Sequence, residues 1–387
     1  MTGPVTDTAP RAYIDVHILQ TVPPANLNRD DQGNPKEAMF GGVRRSRVSS
    51  QAWKRATRMH FTERLPREGL ATRTRRVADV LARRIEQLTE VPPEGSARLA
   101  RALLAPLGIK EGKKDGDTAY LFFYGRGQLD AVVGLIEDEA LELAALDDKA
   151  LAKRVESFDV RGRFGSGHPL DVALFGRMVA DVHALKVDAA TQVAHALSTH
   201  AVELEFDYFT AVDDETKDEG PGAGMIGTIG FNSATLYRYA TVGLHQLHDN
   251  LGGSDEGTVD GVRDFVGSFA RSVPSGYTNS FAHRTLPSLV AVVVRSDQPV
   301  NLVSAFERPV SSVRGISEKS ASALADEHTR AVRNWGDTPS FTSVCHAYED
   351  SADTAGKLRD AFGDPVDFPA LLAGLGDHLA TLLRGPR

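Results

Sequence analysis

Several things are scarce in this 387-residue chain, and each scarcity excludes something. There is one cysteine, Cys345. That rules out an internal disulfide and any cysteine-based zinc site, and fits a reducing compartment such as the cytoplasm. No apolar run approaches the roughly 20 residues of a membrane span; the longest candidate, Leu289 to Val294, is strand-sized. Met1 to Arg11 has no apolar core of the kind a secretory signal needs. No internal repeat is present. Nucleophile elbows are lacking too, and Cys345-His346 are sequence neighbours, an arrangement that suits a buried thiol better than a catalytic pair. The overall charge of −8 argues against non-specific coating of nucleic acid and for a local, shaped anion site.

Against that acidic background one stretch stands out. From Ala38 to Phe61 there are six Lys or Arg and no Asp or Glu, leaving −14 on the remainder. The run Phe40-Gly41-Gly42-Val43-Arg44-Arg45-Ser46-Arg47 reads as a cationic strand or loop. Ser49 and Ser50 read as a helix N-cap, and the helix that follows sets Lys54 and Arg58 one turn apart on one face. Hydroxyls, free amides at a helix start and guanidinium groups are all good phosphate partners. The alternative reading is a solvated charged face.

The rest of the chain reads as α+β. Residues 1–10 are expected to be a disordered leader. Tyr13 to Leu19 alternates, with Ile14, Val16 and Ile18 on one face and Asp15 and His17 on the other, as in a strand with one buried side. Asn26 to Met39 reads as a long polar loop. Residues 67 to 159 read as mostly helical, including Thr72 to Thr89 and Gln128 to Leu146, with a strand over Ala119 to Tyr124. Arg161 to Gly167 reads as a flexible cationic loop carrying Phe164, Asp188 to Leu197 as a helix, and Ala201 to Phe206 as a strand. Thr210 to Gly230, acidic and then glycine-rich, is expected to be a protruding arm. Strands over Asn232 to Val242 and Leu289 to Arg295, and helices over Val259 to Ser272, Glu318 to Trp335 and Pro369 to Leu383, complete a pattern compatible with a β-α-β-β-α-β ferredoxin-like core carrying two insertions.

Other candidate sites weigh less. His195 and His200, with Asp213 and Asp214, suggest a metal-dependent RNA-processing nuclease, but a spacing of five does not place two imidazoles on one helix face. Gly222-Ala223-Gly224-Met225-Ile226-Gly227 matches the dinucleotide fingerprint by letter without the strand before it or the helix after it. Phe164, Met178 and Phe209 lie beside the basic regions, where apolar wedges stack on bases, or else they pack in the core.

Taken in order, Leu27-Asn28-Arg29-Asp30-Asp31, Phe40-Gly41-Gly42 through Ser49-Ser50-Gln51, Lys54-Arg55-Ala56, Asp171 to Met178, Ala194 to His200, Phe209 to Asp214, Tyr237-Arg238-Tyr239-Ala240 and Asn250-Leu251-Gly252-Gly253 resemble the CasC family. This is the RNA-binding backbone subunit of the type I-E CRISPR Cascade complex. The resemblance covers most of the chain. It implies a hand-shaped protein: a modified RRM-like palm from 1–60 and 171–350, a helical fingers insertion at 61–170, a β-hairpin thumb within 200–230, and a C-terminal helical segment at 351–387. It further implies a non-catalytic role without cofactor or metal. Copies would stack along the crRNA in a helical filament beside other Cascade subunits, kinking the guide so that it pairs with a target DNA strand. The residues implied for guide phosphates are Arg29, Ser49, Gln51, Lys54 and Arg58, then Arg44, Arg45 and Arg47; Met178 and Phe209 are implied to bracket a displaced nucleotide. Lys149, Lys153 and Arg154 match a helix that holds DNA backbone, with fewer lysines than the family's pattern.

Overall fold

The computed structural model describes residues 9–110, 112–113, 117–178, 182, 185–212, 223–311 and 315–385; side chains of 210–212 and 223–226 are excepted. Residues 1–8 of the leader expected over 1–10, and residues 213–222 of the expected arm, with Asp213, Asp214 and Gly222, lie outside the described residues. Strands are β1 (Tyr13–Ala25), β2 (Glu37–Phe40), β3 (Val43–Val48), β4 (Ala71–Thr74), β5 (Phe122–Gly125), β6 (Thr191–Val193), β7 (Ala196–Ser198), β8 (Glu205–Val212), β9 (Ala223–Gly243), β10 (Leu289–Arg295) and β11 (Phe341–His346). Helices are α1 (Ser50–Arg64), α2 (Val77–Leu88), α3 (Pro93–Leu104), α4 (Arg126–Val133), α5 (Ala140–Ala145), α6 (Asp148–Val155), α7 (Val160–Gly165), α8 (Leu170–Phe175), α9 (Leu244–Asn250), α10 (Asp255–Arg271), α11 (Thr278–Phe281), α12 (Ile316–Trp335), α13 (Ala352–Phe362) and α14 (Phe368–Leu383).

The fold is α+β around a nine-stranded antiparallel sheet of order β11-β10-β1-β9-β7-β3-β2, with β6 and β8 also paired to β9. Within it, β1, α1, β7, β9, α10 and β10 form a β-α-β-β-α-β unit with spatial order β10-β1-β9-β7. Ile14, Val16 and Ile18 face a layer that includes Trp53 and Phe61 of α1, Phe265 and Phe269 of α10, and Leu371, Leu375 and Leu379 of α14. Leu19, Tyr237, Leu289 and Val293 face a second layer with Leu324 of α12 and Leu358 and Phe362 of α13. The second face of β1 is therefore buried as well, unlike the one-sided expectation. Asp15 and His17 are wholly enclosed, and they are tolerated because each is partnered: Asp15 accepts from Tyr239 Oη (2.8 Å), Arg295 Nε (3.1 Å) and Val300 N (2.9 Å), while His17 Nδ1 meets Tyr237 Oη at 2.9 Å.

Residues 77–185 contribute a separate core, with Leu81, Ile85, Leu99, Leu103, Val132, Leu151 and Phe164 at its centre. Several local expectations fail here. Thr72 to Thr89 opens with β4, which pairs with β5 before α2 begins. The single helix expected over Gln128 to Leu146 is divided between α4 and α5. The loop Arg161 to Gly167 is largely α7, capped by Asp159, which accepts from Gly162 N at 2.9 Å. Phe164 is fully buried, edge-on to Phe122 at 5.4 Å, so it is a core residue and not an exposed wedge. Elsewhere, the helix expected over Asp188 to Leu197 is replaced by β6 and β7. Both pair with the long β9, whose backbone offers partners that outweigh local helix propensity. The strand expected over Ala201 to Phe206 begins at Glu205 and runs to Val212. The polar loop Asn26 to Met39 ends in β2, paired with β3.

Candidate nucleic-acid interface

Helix α1 starts at a true cap. Ser49 Oγ accepts from Ala52 N (3.3 Å), and Ser49 N donates to Asn28 Oδ1 (2.9 Å), tying the helix start to the loop that carries Arg29. Trp53, Thr57 and Phe61, one turn apart, are buried. Gln51, Arg55 and Met59 are left facing solvent.

On one edge of α1 lies a cleft of about 590 Å³. It is lined by Asn28, Arg29, Ser49, Gln51, Arg55, Met59, His60, Arg271 and Arg284, with Glu63 as the one carboxylate in its wall. Four guanidinium groups thus face one concavity. The far wall follows α10 and is backbone-strained: Tyr277 and Ala282 hold positive φ (48° and 45°) on either side of the short α11. Any side chain at Gly276 would collide with the carbonyls of Asn26 and Leu27, so the wall docks tightly on the Arg29 loop. The Arg29 guanidinium sits 4.7 Å from the Tyr277 ring centroid, which orients it. His60 Nδ1 lies 3.0 Å from Ser268 Oγ. Burial, and then Arg64, Arg271 and Arg284 against Glu63, hold its imidazole below the usual range.

Lys54 and Arg58 lie on the opposite edge of α1. Arg58 Nε binds Asp171 (3.1 Å), and its guanidinium lies 4.7 Å from the Phe123 ring. Lys54 is half-buried, and the loss of water pulls its ammonium down.

The expected residues therefore divide. Arg29, Ser49 and Gln51 share the cleft, and Lys54 and Arg58 flank it. Arg44 is exposed and paired with Glu37 (2.7 Å). Arg47 donates to Glu37 O (3.3 Å) and faces His195 Nδ1 (3.2 Å). Arg45 is a correction: it is wholly buried, donating to the carbonyls of Phe40 (3.1 Å), Ser198 (3.1 Å) and Phe306 (2.7 Å), because its position in β3 turns it inward. Met178 is 86% exposed just beyond α8. Phe209, half-buried on β8, lays its ring over Gly227 of β9, its cross-strand neighbour, where a Cβ would collide with the ring. Gly227 closes the glycine pattern noted above and sits in a strand with no helix after it before Gly243, so the fingerprint has no dinucleotide geometry. Lys149 and Lys153 are exposed on α6, and Arg154 is held by both oxygens of Glu139 (2.7 and 3.0 Å). His200 spends both ring nitrogens on backbone, Nδ1 with Ala201 O (2.8 Å) and Nε2 with Thr235 N (3.1 Å).

Arg55, Arg271, Arg284 and Tyr277 were not singled out as site residues from sequence. Arg55 lay inside the counted basic run. Arg271 ends an amphipathic helix, a common place for a cation. Arg284 and Tyr277 carry no local signal.

Among the described residues, no helix is long and apolar enough to cross a membrane. No curated protein matches the sequence. The chain is similar to a solved chain of a CRISPR RNA-guided surveillance complex in a pre-nicking state, at 31% identity over 95% of this chain and 100% of that one, with a TM-score of 0.79. It is also similar to a chain of a second CRISPR RNA-guided surveillance complex, at 28% identity over 94% and 99%, with a TM-score of 0.67. The CT1975-like protein model matches residues 14–367, a span that contains the arginine cleft, the β8–β9 hairpin and both faces of the sheet, and the chain belongs to that family.

Proposed function

We propose that this protein is a non-catalytic, CasC-like backbone subunit of a type I-E CRISPR surveillance complex. In this reading it polymerises along the crRNA spacer beside other Cascade subunits, grips phosphates without sequence preference, and kinks the guide with its β8–β9 arm so that bases remain free to pair with a target DNA strand. The palm, fingers and thumb are then the sheet with its helices, the 61–170 insertion, and the arm. The observation that carries this is the cleft: four arginines, a capped helix start and a serine hydroxyl converge on a chain whose net charge is −8. Such a set suits phosphate and ribose oxygens, which carry no sequence information. Similarity to surveillance-complex chains over nearly the whole length supports the same reading.

The test is co-expression with a CRISPR array and its processing enzyme, followed by recovery of bound nucleic acid. The expected result is processed guide RNA in an assembly much larger than the 41.7 kDa monomer, with no cleavage of guide precursor by the purified protein with or without added divalent metal. A monomer free of nucleic acid overturns the filament reading. Metal-dependent cleavage would put a processing nuclease in its place.

A further inference from the structure

The paired strands β4 and β5 of the insertion approach α1 at the Phe123 ring. Arg58 of α1 and Arg73 of β4 both approach Phe123, their guanidinium carbons 4.7 and 4.3 Å from its centroid. Phe123 is the cross-strand neighbour of Arg73, so strand register itself lays that arginine along the ring. Each contact is favourable alone, yet two cations on one ring repel. Asp171 compensates only one: it binds Arg58, and its other oxygen accepts from Ala71 N at 2.9 Å. Arg73 has no ion-paired carboxylate among the described residues and is exposed. Loss of water around its stem and then the Arg58 charge hold its guanidinium below the usual range, with Asp171 pulling back. Lys54, one turn before Arg58, lies on the same face of α1. Two cations, Arg58 and Arg73, thus gather beside one buried, twice-used carboxylate, and Lys54 continues the cationic edge of α1. Pinning the strand pair to α1 needs only Arg58 and Asp171; it does not need a second, uncompensated guanidinium beside them.

We infer that Lys54, Arg58 and Arg73 form a phosphodiester-binding subsite outside the arginine cleft, so that the insertion's β4–β5 strand pair and α1 hold the same nucleic-acid strand. This rests on the reading of the protein as a single-stranded RNA binder. Arg73 is the new member, and it makes the insertion part of the RNA track.

The experiment is a salt titration of the full chain binding an unstructured single-stranded RNA, for the wild type, Arg73→Gln, Arg73→Lys and Arg75→Gln. Arg75 is an exposed neighbour away from the ring. Losing one phosphate contact on single-stranded RNA lowers the log–log slope by about 0.7, which is roughly fivefold weaker binding at 0.1 M salt. That loss is expected for Arg73→Gln. Arg73→Lys, which keeps the charge, is expected to retain the slope; a further variant, Arg73→Met, which keeps an apolar stem against Phe123 without the charge, is expected to lose it and carries the test if the Gln variant melts early. Arg75→Gln is expected to match the wild type. A wild-type slope in Arg73→Gln overturns the subsite and leaves the RNA-binding reading standing. An equal loss in Arg75→Gln also overturns it, since the effect is then a diffuse surface field. A wild type that binds no RNA at any salt overturns the reading and the subsite together.

Discussion

At the scale of single residues, Arg44, Arg45 and Arg47 look interchangeable on paper and are not. Arg45 has no ion-paired carboxylate among the described residues; four carbonyl dipoles hold its charge, and the Phe40 ring lies 5.7 Å away. Gly41 is required beside it, because a Cβ there would run into the Glu307 carbonyl. Removing this side chain leaves a cavity and four carbonyls without their donor. Arg45→Ala is therefore expected to cost about 2–4 kcal/mol of stability, while Arg44→Ala stays within about 0.5 kcal/mol. Thermal melts in which the two variants coincide would contradict this assignment. Three arginines in a six-residue strand announce cations, but only the hidden partners β7 and the 302–307 turn decide which of them points inward. Phe209 poses the opposite case: the sequence put it forward as a wedge but gave no sign of what supports its ring. The ring rests on Gly227, a residue whose glycine pattern suggested something else. Phe209→Ala is expected to leave the melting temperature within a few degrees and to make displaced guide nucleotides less uniformly reactive to chemical probing. An unchanged reactivity pattern would remove Phe209 from the RNA path.

At the scale of elements, α1 organises the site because its buried stripe of Trp53, Thr57 and Phe61 leaves two distinct cationic edges. The Arg55 edge faces the strained wall with Arg271 and Arg284; the Lys54 and Arg58 edge faces the insertion. Arg55 and Arg284 are exposed and have no ion pair among the described residues. The double variant Arg55→Gln with Arg284→Gln is expected to keep its stability and to weaken RNA binding by the same factor for unrelated sequences, with a slope loss of about 1.4. Losses confined to some sequences, measured side by side on several spacers, would mean that bases are being read. Long elements such as α1, α10, α12 and α14 were legible because amphipathic periodicity over many residues survives local noise. The three-residue β6 and β7 were not, since so short a segment owes its state to β9. The cleft was half legible for a related reason. Arg29, Ser49 and Gln51 lie close to the basic run in sequence, whereas Arg271 and Arg284 arrive from more than 200 residues away.

At the scale of the whole molecule, the sheet is buried on both faces, and its second face carries a polar layer. Arg295 is enclosed between Asp15, Asp337 and His328, with His17 beside Tyr237 and Tyr239 in the same layer. Both imidazoles are kept neutral. Burial, then the cost of a second positive charge beside His328 and the charge of Arg295, hold His17 well below its usual range; burial and Arg295 bring His328 down to about 4. A histidine depressed in the folded state binds its proton more readily in the unfolded chain. Stability from such a group is complete above about pH 6.5 and is lost progressively as pH falls toward the folded value. A tenfold difference in proton affinity is worth about 1.4 kcal/mol, so His328 alone represents on the order of 3 kcal/mol between pH 6.5 and 4. Asp15, raised by burial despite its three partners, works in the opposite sense and offsets part of the loss toward the acid end. Urea denaturation is therefore expected to show a clearly lower midpoint at pH 5.0 than at pH 7.5, and His328→Leu, which removes one titrating group, is expected to flatten that difference. A wild-type midpoint that does not move across this window would mean that the imidazoles titrate alike in the folded and unfolded chains. The layer between the sheet and α12 would then be open to water, and the enclosed second face described here would be wrong.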